Sequence, residues 1–300
     1  MKRRTFVIAT PARLSDALAA EFDVAASQVT ELLERGSVYV QGKRAVERGT
    51  LLAKGTTVSV VLSEAGKTPM VAREAAFLLD ILQEHDDWLA VNKPAGWVSQ
   101  PTPGKQGDSL LDAVSDYLKY PAGLVHRLDK ETSGVMVFGK SREGTRALAQ
   151  AFREGTASKR YLAVASGALP EHGEIALKLS KDPSRVGRWR ASAKANGVEA
   201  VTRFERLHAA DAFTLVALFP LTGRTHQLRA HLRALDAPIW GDGLYEGPRD
   251  AEVKGLPPAR RCLLHAQSLR VMGTRIDAPL PVDMRAWFDL AEVAAPQGDW

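Results

Sequence analysis

One cysteine, Cys262, stands in 300 residues. That excludes an intrachain disulfide and a multi-cysteine zinc site, and it fits a reducing, cytoplasmic setting. Long apolar runs are missing too: no segment approaches the ~18 apolar residues of a membrane span. Lys2-Arg3-Arg4 followed by Phe6-Val7-Ile8-Ala9 has the charge order of a signal peptide, but the run stops at Thr10-Pro11, too short for an apolar targeting core. The chain has no internal repeat and no low-complexity tract. It also lacks a phosphate-cradling glycine loop, since Gly96, Gly104 and Gly107 are not spaced as one.

What is present is enough apolar material, 45% of residues, to bury a sizeable core. The length suits one large domain or two smaller ones. Formal net charge is +5, which permits a nucleic-acid partner without demanding one.

The chain divides by pattern into a small domain at 1–64, a polar linker at 65–75 and a large domain at 76–300. In the first, Thr10-Pro11 reads as a cap and first helical residue, and Leu14, Leu18 and Phe22 form one face of a helix. Ser27 opens a second helix with Val29, Leu32 and Leu33 inward, and Gly36 ends it. Val38, Val40 and Thr57–Leu62 read as strands. Residues 1–70 carry ten Lys and Arg against seven Asp and Glu. Phosphate binding needs clustered cations on one face, and Arg13, Arg35, Lys43 and Arg44 are candidates for it. A solvated charged face is the plain alternative.

In the large domain the densest set of reactive side chains is Gly123-Leu124-Val125-His126-Arg127-Leu128-Asp129-Lys130-Glu131-Thr132-Ser133-Gly134, running into apolar Val135–Phe138. Thr132-Ser133-Gly134 reads as a turn and the run after it as a buried strand. Asp129 then sits on a loop fixed by that strand, the usual place for catalytic groups. Elsewhere, Phe77–Leu82 and Trp88–Val91 read as strand, turn, strand. Ser141 caps a helix bearing Leu148 and Phe152. Lys159–Val164 and Phe213–Leu218 read as strands, and a helix follows from Thr225 with Leu228, Leu232 and Leu235 inward. Arg185, Arg188, Arg190 and Lys194 surround Trp189 in what reads as a basic, flexible loop. The tail from about Ala291 reads as frayed. His126, His226 and His231 do not have the spacing that stacks metal ligands on one helix face, and no metal site is expected.

His126-Arg127-Leu128-Asp129-x-x-Thr132-Ser133-Gly134 resembles the signature of the RluA-type family of RNA pseudouridine synthases. Asn92-Lys93-Pro94-Ala95-Gly96, Lys159-Arg160-Tyr161, Thr222-Gly223-Arg224-Thr225-His226-Gln227-Leu228-Arg229 and Leu263-Leu264-His265-Ala266 are similar to further blocks of that family, in order. The first sixty residues are similar to a small RNA-binding domain first named from a small-subunit ribosomal protein. Three departures stand out, the first being Ser15 of the small domain, where aspartate is common and Asp16 follows. Ser99-Gln100-Pro101 replaces the histidine-before-proline common in the family, and Val271–Arg275 is compressed where a longer hairpin is usual.

The resemblance implies an α+β catalytic domain built on a mixed, largely antiparallel sheet, with an RNA-binding cleft. It implies that uridine is isomerised without cofactor: the N–C bond to ribose breaks, the base turns, and a C–C bond forms through C5. Asp129 is the implied nucleophile, or the group that stabilises positive charge at the sugar. Arg224 is the expected countercharge that keeps Asp129 ionised and aimed. Tyr161 is expected to stack on or hydrogen-bond the base and to help remove the C5 proton, with Leu264 as an apolar wall. Flipping the uridine out costs a few kcal/mol. Arg127 is expected to fill the gap left behind, and His126 to contact the displaced strand. Lys93 is expected either to touch RNA backbone or to brace a loop carboxylate. RNA is the implied partner, ribosomal RNA favoured and transfer RNA the alternative, with the protein a monomer. Competing readings are an RNA-binding protein that keeps the scaffold without chemistry, and a carboxylate-dependent glycosidase or nuclease. The latter needs a second carboxylate beside Asp129, and Glu131 is only adjacent in sequence.

Overall fold

The computed structural model describes residues 2–22, 38–41, 43–44, 50–62, 79–101, 109–194, 196–248 and 255–296. Two compact units emerge, Met1–Phe77 and Leu78–Trp300. Among the described residues no helix is long and apolar enough to cross a membrane.

The first unit holds β1 (Lys2–Val7), β2 (Ala12–Arg13), α1 (Leu14–Phe22), β3 (Val38–Val40), β4 (Lys43–Arg44), β5 (Leu51–Leu52) and β6 (Thr57–Leu62). Its sheet runs β1-β6-β3-β4, and Leu14 and Leu18 of α1 bury against Val38, Val58 and Val60. The helix begins at Leu14 and not at Pro11, because Ala12 and Arg13 are taken up in pairing with Leu52 and Leu51. Arg13 is exposed. Lys43 and Arg44 lie on β4, paired with Val40 and Tyr39. Arg35, the helix expected from Ser27 and the linker at 65–75 lie outside the described residues.

The second unit contains β7 (Ile81–Glu84), β8 (Trp88–Lys93), α2 (Leu110–Leu118), β9 (Gly123–Leu124), β10 (Ser133–Gly139), α3 (Arg142–Glu154), β11 (Ser158–Ala165), β12 (His172–Ala176), β13 (Lys178–Lys181), β14 (Trp189–Ser192), β15 (Val201–Ala209), β16 (Thr214–Pro220), α4 (Gln227–Ala234), β17 (Leu264–Val271), β18 (Thr274–Asp277) and α5 (Val282–Leu290). The main sheet runs β12-β15-β16-β11-β17-β10-β8-β7, with β18 on β17 and β9 on β10. It is mixed and largely antiparallel, β10 and β17 being its parallel pair. Every residue of β10 is buried. Successive side chains point to opposite faces of a strand, so Met136 and Phe138 pack with α2 residues Leu110 and Val114. Val135 and Val137 pack with Leu148 of α3. Ser141 caps α3 by accepting from the Gly144 N–H at 2.9 Å.

Three local expectations change. The basic stretch around Trp189 is a hairpin of β13 and β14, and Arg188 is tied to Asp182 at 2.6 Å and Glu246 at 2.8 Å. Leu235 ends α4 exposed, since the helix stops at Ala234 before its last turn can turn inward. The tail does not fray at Ala291: the Pro296 carbonyl accepts from Arg160 Nη2 at 2.8 Å and Gln267 Nε2 at 2.6 Å. The compressed hairpin is a two-residue turn, Met272 and Gly273, with φ of 50° and 75°, the left-handed pair that tight hairpins favour.

Candidate active site

Asp129 stands on the loop that leads into β10, and that loop is braced from several sides. Lys93, the last residue of β8, is fully buried and donates to the carbonyls of Pro94 (3.0 Å), Lys130 (3.1 Å) and Thr132 (2.7 Å). The amine is turned into the loop, onto carbonyls where a carboxylate was the expected partner. Burial, only partly opposed by Asp129, holds its ammonium down to about 7. Ser99 donates to the Leu128 carbonyl at 2.7 Å and accepts from the Leu128 N–H at 3.0 Å. The Gly96 N–H donates to the Lys130 carbonyl at 2.8 Å. Gly134 has φ +113° and lies so near β17 that a Cβ would meet the Ala266 carbonyl oxygen at 2.1 Å. Only glycine permits both the turn and the close parallel pairing.

Arg229, in the first turn of α4, supplies the countercharge: its Nη1 is 3.1 Å from Asp129 Oδ2. The expected partner, Arg224, lies on the exposed turn before the helix, where its Nε donates to the Glu199 carbonyl at 3.2 Å. The helix end explains the exchange. Gln227 accepts from the Arg224 N–H at 3.0 Å and from Thr222 Oγ1 at 2.7 Å, and donates to the Val201 carbonyl at 3.0 Å. That anchors the turn against β15 and turns the next helical residues toward Asp129. His226, left-handed at φ 55°, places Nε2 at 3.8 Å from Asp129 Oδ2. Burial lowers its pKa, with Asp129 pulling the other way.

Tyr161 enters from β11, where the register against β17 shifts between Arg160 and Tyr161. Such a bulge re-aims a side chain. Arg160 is buried and reaches the tail, while Tyr161 lines the cleft. Burial, and secondarily the Asp129 charge, push the Tyr161 phenol well above its ordinary pKa, so it stays a neutral hydroxyl. It can donate or accept a hydrogen bond there, and a phenolate base is disfavoured. Leu264, the first residue of β17, is a buried wall of the same cleft.

The cleft has a volume of about 700 Å³. Arg127, Arg153, Lys159 and Arg224 line it along with Asp129, Tyr161 and Leu264, so cations outnumber carboxylates. His126 is a wall too: its ring stacks on Phe152 at 4.6 Å and its Nε2 accepts from the Val137 N–H at 3.0 Å. Burial, reinforced by Lys159, lowers its pKa to about 3, so it is neutral and offers no charge to a displaced strand. Arg127 is exposed and borders this cleft and a second one, which also opens on Asp129. His231 faces away, bonded to Thr202 Oγ1 at 3.0 Å, and the three histidines do not converge.

Sequence reasoning missed Arg229, Ser99, His226 and Asp242, the buried carboxylate that accepts from Arg229 Nε at 2.6 Å and Nη2 at 2.8 Å. The signal for Arg229 was an arginine in the first turn of a helix whose Leu228 and Leu232 are buried; a cation on an inward face needs an anion to meet. Ser99 had no such signal, because its partner is a backbone group 29 residues away.

The RNA pseudouridylate synthase family matches residues 87–234. Ribosomal large subunit pseudouridine synthase D of Xanthomonas campestris pv. campestris is 32% identical over 293 residues, 91% of this chain and 87% of the relative. The protein of that name from Neisseria meningitidis serogroup A is 34% identical over 87% of this chain and 74% of its own. Among solved structures, human RNA pseudouridylate synthase domain containing 4 is 25% identical with a TM-score of 0.63, covering 75% of this chain and 98% of that one.

Proposed function

The chain belongs to the RluA-type family of RNA pseudouridine synthases and is an RNA pseudouridine synthase; on that premise we propose that it acts on uridine in structured RNA of the large ribosomal subunit, with Asp129 as the reacting carboxylate. The observation that carries this reading is the placement of Asp129. Its Oδ2 is held by Arg229 while the carboxylate faces a cation-lined cleft walled by Tyr161 and Leu264. The ribosomal preference is supported by the names of the relatives, which are large-subunit enzymes.

Asp129 begins the reaction at the sugar as the N–C bond breaks. Arg229 aims the carboxylate. Tyr161 holds the detached uracil with its ring and hydroxyl while the base turns, and Leu264 closes the other side. The neutral phenol cannot keep the C5 proton and can only relay it, giving up its own hydrogen as it takes that one, toward the ring nitrogen freed when the N–C bond broke. Arg127, Arg153 and Arg224 meet phosphates at the rim, and Arg127 fills the space left by the flipped base. The 1–64 domain, through Arg13, Lys43 and Arg44, adds sequence-independent RNA affinity. The enzyme works as a cytoplasmic monomer.

A pseudouridine map of RNA from cells lacking the gene, re-supplied with wild type or with Asp129→Asn, tests the reading. Sites that vanish and return only with wild type support it and name the substrate. Identical maps sink it. If Asp129→Asn retains more than a few per cent of turnover, Asp129 is not the reacting group. Deleting residues 1–65 should weaken RNA binding in a salt-dependent way and spare turnover on a minimal substrate.

A further inference from the structure

Five cationic side chains line the cleft, and they are not alike. Arg127, Arg153 and Arg224 are exposed. Arg229 is sheltered and tied to the carboxylates of Asp129 and Asp242. Lys159 is half-buried on β11, two residues before Tyr161, and both side chains line the cleft. Its ammonium ends beside the turn that leads into α4, where a Cβ on Gly223 would stand 3.8 Å from Nζ. The neighbours give it no acceptor. Burial first and the Lys159 charge second keep His126 neutral, and its Nε2 accepts from the Val137 N–H at 3.0 Å. The imidazole proton is therefore on Nδ1, and no ring lone pair is left for the ammonium. Among the described residues no carboxylate or carbonyl is bonded to Lys159 Nζ, and burial holds it below its ordinary pKa with no anion opposing. A charge sheltered from water is costly unless it is paired. The anion that Lys159 meets arrives with the substrate.

We propose that Lys159 is a further catalytic residue of the isomerisation, its ammonium donating to a carbonyl oxygen of uracil as the base departs from the sugar. This rests on the synthase reading above. When the N–C bond breaks, its electron pair leaves with the base, and the uracil becomes an anion spread over its freed nitrogen and its two oxygens. The sugar carbon bonds Asp129 or stays positive beside it. When C5 attacks that carbon the ring gives up its negative charge, Asp129 is a free carboxylate again, and the C5 proton passes to the freed nitrogen. Lys159 keeps its own proton throughout. A donor fixed where charge develops, in a site sheltered from water, lowers the barrier without having to reorganise. Tyr161 brings no charge of its own, because its phenol is neutral. The three exposed arginines are shared with water, whereas Lys159 stands next to the ring that holds the base.

The test compares wild type and K159M in urea unfolding, RNA binding and single-turnover loss of the target nucleoside, on one RNA carrying uridine or 5-fluorouridine at the site. Fluorine makes the departing ring a weaker base, so it needs less from a donor. K159M should lose about 100-fold in rate on uridine, the scale of removing one such donor, and less than about tenfold on 5-fluorouridine. Its Kd should stay within about threefold of wild type, since the anion forms only after binding. Its stability should equal or exceed that of wild type, because it sheds an ammonium sheltered without a partner. Equal losses on the two substrates, or a K159M rate within about threefold of wild type, overturn the proposal. So does a weaker Kd with a shallower salt dependence and an unchanged saturating rate, which gives Lys159 a phosphate instead. A K159M protein that unfolds more readily than wild type, or does not fold, also overturns it, since Lys159 then serves the protein's own structure. If the wild type makes no pseudouridine, the synthase reading of that RNA fails separately.

Discussion

Replacing Lys93 with methionine would show what a buried ammonium does for a catalytic loop. The side chain keeps its volume, and three carbonyls, of Pro94, Lys130 and Thr132, lose their donor. Each buried acceptor left unpaired costs about 1–3 kcal/mol, so together roughly 3–9 kcal/mol. Against this stands the cost of holding the ammonium out of water. Burial brings Lys93 from 10.5 to about 7, with Asp129 opposing. At 1.36 kcal/mol per pH unit that gap is about 5 kcal/mol below pH 7. The two effects offset each other to within a few kcal/mol, so K93M should fold with nearly wild-type stability near neutral pH. The loop, however, is no longer held, and turnover should fall about 100-fold. The pH dependence has a definite sign. The folded value lies below the unfolded one, so the penalty is complete below about pH 7 and fades as pH rises toward 10.5. Wild type should therefore gain stability over K93M across that window, by up to about 1.4 kcal/mol per pH unit. Urea melts of both proteins at about pH 6, 8 and 9.5 measure the difference. Parallel pH curves together with undiminished turnover would refute the reasoning.

Arg229→Ala should cost about 3–5 kcal/mol in urea unfolding, because Asp242 is left buried without its countercharge. Arg224→Ala, at an exposed turn, should stay within about 0.5 kcal/mol and act on RNA Kd. Gly134→Ala should lose more than about 4 kcal/mol, read as loss of thermal stability or of soluble protein, since neither backbone can yield at that contact. Ser99→Ala should cost about 1–3 kcal/mol and lower kcat with RNA Kd unchanged. Tyr161→Phe should reduce turnover without altering the shape of the pH–rate profile, because the phenol it removes is protonated throughout the working range.

Much of this was readable from residue order. The strand after Gly134, the helix capped by Ser141 and the strand carrying Tyr161 follow from local pattern and turn chemistry, and the shortened hairpin from the family resemblance. So did the loop bearing Asp129. What local pattern does not carry is which of two nearby arginines meets that carboxylate. Arg224 and Arg229 are five residues apart, and the choice depends on where Gln227 pins the turn, a contact with β15 that no periodicity reports. Lys93 shows the same limit. Its position at the end of a strand is visible, but whether its amine points to solvent or into the Asp129 loop depends on chain 37 and 39 residues further on. The helix expected at Pro11 failed for a related reason, because Ala12 and Arg13 were claimed by β5, distant from them in sequence.

The place of β17 has a consequence for how this enzyme comes into being. It is among the last strands to be made, yet it lies between β10 and β11. Ser133 and His265, joined at 2.9 Å across that seam, are 132 residues apart in the chain. A chain still lacking residues 264–271 has two half-sheets with open inner edges, one leading from Asp129 and the other bearing Tyr161. Pairing over such a separation is slow, and open edges invite pairing with other chains. During synthesis, then, Asp129 and Tyr161 are made early and their half-sheets are joined late, when β17 enters between β10 and β11. Truncation between the end of β16 and β17 should give an aggregating protein and not a weaker enzyme.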